Sequence, residues 1–496
     1  MNKLIAVILS LSIQIIAQQT PLEKNNYNKL TSYNELTDYV YQLESSSEIL
    51  NVEAIGKSVE GRNLYALKFS NSEFGKDTSK IKILIFAQQH GDEQSGKEGA
   101  LLLARELSKP ENVYLFDKID FVLIPQMNPD GSEKDVRMNA DNMDLNRNHL
   151  ILTEPETIAL HKLFDEYLFE ATMDVHEYYP YTEDYLQYGY IKNFDEQVGT
   201  TTNPNVSEKI RNFSNEEYLP FIAAYLNDRS FSFHNYIPGG PPEISLIRHS
   251  TYDINDGRQS LGIQNSFSFI QEGKNGRDSI DNIQRRTDGQ ANGMFAFLEF
   301  IYKNKNKIKS LVTEERSKLI SGEVNDSVAI QMDHIKTGEK LNLTLYSLYT
   351  HSDTLIIVED YRPVVQSTYD VKRPLGYLVP KKLTELYDWA LRQNLVISDF
   401  EFMQGYDFQQ YLVREIDSID FEGDTIVNPD VELREVQEEI NENNYYFIPS
   451  NQLKNNLIVT ALEPKSILGL VTYKQYAHLL KAENYFPVLR VINQKK

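Results

Sequence analysis

The sequence predicts an α/β fold, a mixed central sheet flanked by helices, followed by a smaller α+β or β-rich C-terminal domain. Three observations carry this. Four strand-length apolar runs, at residues 82–87, 120–126, 171–175 and 266–270, are rich in Ile, Val, Leu and Phe. Helix-like stretches separate them, and alternating strands and helices define a layered α/β domain. Beyond residue 309 the apolar pattern changes to short alternating strands.

Taken in order, residues 4–16 form an apolar stretch behind Lys3, broken by Ser10, Ser12 and Gln14 and closed by Ala17. This is the outline of an export signal peptide cleaved after Ala17, too short for a comfortable membrane span. The expected location is therefore secreted or periplasmic, without stable membrane insertion. Residues 18–50 carry Tyr and Leu at helical spacing and predict an N-terminal helix. Residues 97–107 and 156–167 read as the helices between the strands, and 286–302 as a closing helix. The polar stretch 303–309 (KNKNKIK) is the expected boundary. The division is thus residues 1–17 signal peptide, 18–308 catalytic domain and 309–496 accessory domain, the last not needed for chemistry. Within it, 327–332, 340–346 and 354–358 alternate like strands, and 380–393 reads as a helix.

Composition narrows the function. Of the 496 residues 41% are apolar and 25% charged, a globular balance too long for one ordinary core. A net charge of −22 repels nucleic acid phosphates and anionic membranes, so neither is an expected partner. There is no cysteine, so any metal must be held by His, Asp or Glu.

Each apolar run ends in residues able to do chemistry, and the carboxyl edge of an open α/β sheet is where ligands bind. After the first run come His90 and Glu93. Imidazole nitrogen and carboxylate oxygen both bind zinc, and an H-x-x-E spacing can turn both to one side. The pair alone is a weak signal. His176, at the end of the third run, adds a distant third ligand and leaves a fourth position open. Asp144, Asn146 and Arg147 share one short loop, an anchor for a metal histidine and donors for an anion; Arg grips a carboxylate with two parallel bonds. Arg137, on the same connection, could polarise a carbonyl. Glu272 ends the fourth run, where a buried carboxylate can move protons beside a metal.

Together these pieces resemble the M14 zinc carboxypeptidases, in particular a secreted bacterial subgroup with a C-terminal accessory domain. The pieces are QQHGDEQSG (88–96), IPQMNPDGSEKDVR (124–137), MDLNRN (143–148), DVHE (174–177) and SFSFIQEG (266–273). The resemblance implies a carboxypeptidase-like sheet and one Zn2+ per chain on His90, Glu93 and His176. It implies that Asp144 orients His90, Arg137 holds the oxyanion, Asn146 and Arg147 take the substrate's terminal carboxylate, and Glu272 is general base and acid. The implied substrate is a peptide or amide with a free carboxylate. Tyr252 is the nearest counterpart of the family's mobile pocket tyrosine, in surroundings that match poorly. His234 and His249 are expected as pocket wall or surface, not ligands. The rival readings are cell-wall peptide trimming, deacylation of N-acyl amino acids, or a silent protein that binds peptide or glycan. Residues 373–380 and 462–466 resemble segments trailing the catalytic domain in that subgroup, with no catalytic role implied.

Overall fold

A computed structural model describes residues 19–321, 327–403, 405–421 and 424–493. The expected signal peptide, residues 1–17, lies outside the described residues. Among the described residues, no helix is long and apolar enough to cross a membrane.

In place of one N-terminal helix there is a short turn of helix at Pro21–Lys24 and then α1, Tyr33–Ser46. Ser32 caps α1 in a reciprocal box with Glu35. The central sheet is built from β1 (Leu50–Lys57), β2 (Asn63–Phe69), β3 (Ile81–Ala87), β4 (Ile119–Ile124), β5 (Ala171–Tyr178), β6 (Glu196–Thr200), β7 (Phe233–Asn235) and β8 (Phe267–Lys274). Its order is β1-β2-β4-β3-β5-β8-β6-β7. The centre, β4-β3-β5-β8, is parallel, and β1, β2 and β6 add antiparallel pairings.

Both faces of that centre are covered, which is why its strands read as unbroken apolar runs. On β3, Ile83 and Ile85 face a cluster with α2 (Gln94–Leu107) and the long helix α4 (Ile283–Ser321). Leu84 and Phe86 face the opposite cluster, with Leu160 and Phe164 of α3 (Pro155–Tyr167).

The expected boundary at 308/309 needs correction, because α4 runs through it without a break. Phe297, Ile301, Ile308 and Val312 form one buried stripe, and the lysines of KNKNKIK are the solvated side of the same helix. The architecture changes after Ser321. There β9 (Ser327–Ile335) pairs with β12 (Val364–Lys372), and the hairpin β10–β11 (Leu341–Ser347, Ser352–Val358) pairs back onto Tyr190 and Ile191 of the catalytic half. A seven-stranded antiparallel sheet follows, centred on β13 (Gly376–Pro380), β14 (Tyr406–Glu415), β15 (Tyr445–Pro449) and β16 (Leu489–Asn493). Helices α5 (Thr384–Arg392) and α6 (Asn455–Leu462) pack beside it.

This region is fused to the catalytic half. Leu150, Ile151, Tyr252 and Ile254 share one core cluster with Val328, Trp389, Leu457 and Ile467. Trp389 Nε1 donates to the Leu150 carbonyl at 2.9 Å, and Gln393 Nε2 to the carbonyls of His149 and Leu150 at 3.0 and 2.7 Å. Lys454 pairs with Asp165 at 2.9 Å, both largely buried. The two segments singled out in the sequence meet here: Tyr377 OH donates to Glu463 Oε1 at 2.7 Å, and Glu463 pairs with Arg490 at 2.9 Å.

Candidate metal centre and active site

His90, Glu93 and His176 converge. One ligand atom from each lies within 4.8 Å of the others, and all three residues are buried. The local chain explains how. Gln88, just past the end of β3, stands in the left-handed region at φ 59°, a costly conformation for a non-glycine residue that turns the backbone out of the sheet. At Gly91 a Cβ would lie 2.2 Å from the backbone carbon of Gly131, so only glycine lets the loop pass there. Glu93 then opens α2. His176 comes from β5, whose parallel register with β8 sets Glu272 directly beside it.

His90 Nδ1 and His176 Nδ1 face each other at 3.1 Å, with Glu93 oxygens 2.7 and 2.9 Å away. Burial by itself pushes both imidazoles down, but Glu93 with Asp144 at His90, and Asp174 with Glu93 at His176, outweigh it and hold both above the ordinary range. Glu93 is held far below the usual carboxylate range: its burial is overcome by the two histidines. Facing nitrogens and a buried carboxylate are the chemistry of a divalent-cation site, so the residues fit zinc. The rear nitrogens are backed by carboxylates. His90 Nε2 is 3.0 Å from Asp144 Oδ1, and His176 Nε2 lies 2.9 Å from Asp174 Oδ1, off the axis of a good hydrogen bond.

Arg137 donates through Nε and Nη2 to Asp144 Oδ2 at 3.1 and 2.9 Å, and its Nη1 lies 3.1 Å from His90 Nδ1. It borders the ligand set as a cation. Asn146 Oδ1 accepts from Gly257 N at 2.8 Å and from Gln89 Nε2 at 3.2 Å, which turns its NH2 the other way. Arg147 Nη1 donates to the Asn146 carbonyl at 2.9 Å. Burial raises the Glu272 carboxyl to about 7; His176 and His90 pull it down, while Glu93 and Asp174 push it up.

Tyr252 does not join this group. Its ring is buried against His334 and Phe421 of the C-terminal region, with centroids 5.4 and 5.9 Å away, so the expected substrate-binding role is corrected to a core contact. His234 stacks on Phe194 at 4.6 Å, and His249 Nε2 meets Thr200 Oγ1 at 3.1 Å; neither belongs to the cluster of His90, Glu93 and His176.

Two residues escaped the sequence reading. Gln89 binds with every side-chain polar atom: Nε2 to Asp174 Oδ2 at 2.8 Å and to Asn146, Oε1 to His149 Nε2 at 2.8 Å. It links the carboxylate behind His176 to Asn146. A glutamine next to a histidine has no spacing signal of its own. Lys192 is buried, donates to the Ile237 carbonyl at 2.7 Å, and is pushed down by burial to about 8 while the charge of Glu272 opposes the shift. A cavity of about 1050 Å3 opens past the end of β8 beside Lys274, Arg277 and Arg285, and His90, Glu93 and His176 do not line it.

The fold and the site are those of a metallopeptidase, a hydrolase, with two histidines and a glutamate able to hold a metal at the carboxyl edge of a mixed sheet. Residues 36–218 match the zinc carboxypeptidase model Peptidase_M14, and the chain carries a domain of that family. The match holds all three ligands and ends before Glu272. Carboxypeptidase 2 of Trichophyton rubrum is 24% identical over 442 residues, covering 86% of this chain and 81% of its own. That span is too long to be confined to the catalytic half. Human carboxypeptidase D is 27% identical over 242 residues, 42% of this chain and 17% of its own. A solved metallo-carboxypeptidase from Burkholderia cenocepacia is 20% identical over 56% of this chain and 71% of its own, with a TM-score of 0.44.

Proposed function

We propose that the chain is an exopeptidase that holds one zinc ion on His90, Glu93 and His176 and releases the C-terminal residue of peptides ending in a free carboxylate. The observation that carries this is the β5–β8 register, which sets a buried carboxyl of raised pKa beside a metal ligand. Bound zinc supplies Lewis acidity toward the scissile carbonyl and lowers the pKa of a water.

The chain's own residues do the rest. Glu272 takes a proton from the attacking water and returns it to the leaving amine, so the proton count closes without a covalent intermediate. Arg137, held through two of its nitrogens by Asp144, offers Nη1 to the developing oxyanion. Asp144 also fixes the tautomer of His90. The NH2 of Asn146 and the guanidinium of Arg147 receive the terminal carboxylate. The signal-peptide reading of residues 1–17 puts this activity outside the cytoplasm.

The test is a matched pair of substrates, free acid and C-terminal amide, on wild type and Arg147→Lys. Wild type is expected to favour the acid by about 10²-fold in kcat/KM, because the amide leaves Arg147 desolvated without its anion. Arg147→Lys loses most of that preference, since a point charge cannot reproduce the two-bond fork. Equal cleavage of acid and amide by wild type rules out action at free C-termini.

A further inference from the structure

A cavity of about 280 Å3 opens beside Arg147. Its near wall comes from the catalytic half, Arg147 with Leu150 and Ile254. Its far wall comes from the C-terminal region, Ile426, Ile467, Leu468, Thr472 and Tyr473. Arg147 ties this space to the metal centre: it ends the short turn that Asp144, the partner of His90, caps, and its Nη1 donates to the Asn146 carbonyl at 2.9 Å. The walls are held in register by the bonds from Trp389 and Gln393 to the backbone of residues 149–150, and by the core that Leu150 and Ile254 share with Ile467 and Leu468.

The lining mixes aliphatic and polar groups, with Asp253 as buried as the aliphatic residues around it. Leu150, Ile254, Ile467 and Leu468 are all buried, while Asp424 stands exposed at the rim and Asp253 shares the near wall with Arg147. An acidic side chain entering here would meet two carboxylates, and any charged one would lose hydration against four aliphatic residues. The volume suits a side chain of leucine or phenylalanine size.

We propose that the side chain of the substrate's C-terminal residue enters this cavity, and that the C-terminal region, through Ile426 and residues 467–473, determines which side chains are accepted, favouring uncharged apolar ones. This rests on the reading of Arg147 as the carboxylate anchor. It makes the C-terminal region a specificity element of the catalytic site.

The experiment uses the full chain loaded with zinc. Values of kcat and KM are measured for blocked dipeptides ending in Ala, Leu, Phe, Arg or Glu, with wild type, Thr472→Phe and Ile426→Ala. Binding of the free amino acids, the products, is followed by calorimetry. Both positions are half-buried, so each variant is a check on the other should one fail to melt cooperatively. Wild type is expected to prefer Leu and Phe over Ala and Glu by about tenfold or more. Thr472→Phe narrows the cavity and raises KM about tenfold for Leu and Phe, with the Ala substrate within about threefold and kcat little changed. Ile426→Ala widens it and shifts the preference toward Phe. The same ranking in all three proteins overturns the claim that the C-terminal region faces the substrate. A wild-type preference for Arg assigns the pocket to Asp253 and Asp424 and overturns the apolar class. If wild type cleaves amides as well as acids and binds no free amino acid, it is the carboxylate reading of Arg147 that has failed, and this proposal falls with it.

Discussion

The catalytic half and the C-terminal region both bury many polar groups, and they use them differently. In the catalytic half, His90, Glu93, His176 and Glu272 crowd together at strand ends, with two imidazole nitrogens facing each other at 3.1 Å and a second carboxyl raised by burial beside them. In the C-terminal region the buried polar groups answer one another: Tyr377 and Arg490 share Glu463, and Trp389, Gln393 and Lys454 spend their donors on the catalytic half. Crowded titratable groups with shifted pKa values mark a candidate site, whereas buried polar groups that pair across two units mark an interface that holds them in register. The C-terminal region therefore contributes through packing, although it holds none of the ligands.

The largest expected effect comes from breaking that packing. A cut near Lys305 severs α4 and strips Val328, Trp389, Leu457 and Ile467 from the core around Leu150 and Ile254. The truncated chain is expected to lose its cooperative melt and its zinc, as seen by calorimetry and metal analysis. A well-folded, zinc-bound fragment would show that the two regions are separable after all.

Next is Glu272→Gln, which keeps the shape and the metal but cannot accept a proton. Turnover should fall by at least ~10²-fold with zinc retained. The same residue gives a pH effect in metal-free protein. Burial raises its carboxyl from the ordinary 4.5 to about 7, so the folded chain keeps a proton that the unfolded chain has released. That contribution to stability is complete below pH 4.5 and is lost as the pH rises through 7. Glu272→Gln has no such loss. Above pH 7 the metal-free variant should melt higher than metal-free wild type, and an equal or lower Tm would deny the raised value.

A smaller effect is expected at Gln89, bonded to His149, whose carbonyl accepts from Gln393 of the C-terminal region. Gln89→Leu leaves Asp174 and His149 without their amide and leaves Asn146 Oδ1 held by Gly257 N alone. Zinc affinity or kcat/KM should fall by about 10–100-fold, the range for groups that orient metal ligands. The gap between acid and amide substrates should narrow as well, which a merely structural loss would not cause. Unchanged discrimination would remove Gln89 from the path between His176 and Asn146.

How much of this was legible in the sequence follows from the range of each signal. The central strands were readable because both faces of the sheet are buried, so β3, β4, β5 and β8 are nearly all apolar. The cluster of His90, Glu93 and His176 was readable because H-x-x-E is local and His176 stands at a strand end. The boundary was misplaced because KNKNKIK looks like a linker, while the stripe that keeps it helical shows only when Ile301, Ile308 and Val312 are set on one face. Tyr252 was misassigned because its partners, His334 and Phe421, lie 82 and 169 positions away in the chain. The fusion of the two regions has the same character: Trp389 reaches Leu150 across 239 positions, and no local pattern announces such a bond.

The central claim is that two histidines and a glutamate of the catalytic half hold a single zinc ion. Its most direct test is the metal content of the purified full chain beside that of His176→Ala, after dialysis against a weak chelator. Wild type should retain about one zinc per chain and His176→Ala almost none, because a two-ligand remnant binds far more weakly. Equal zinc in both proteins, or none in an active wild type, would contradict the account.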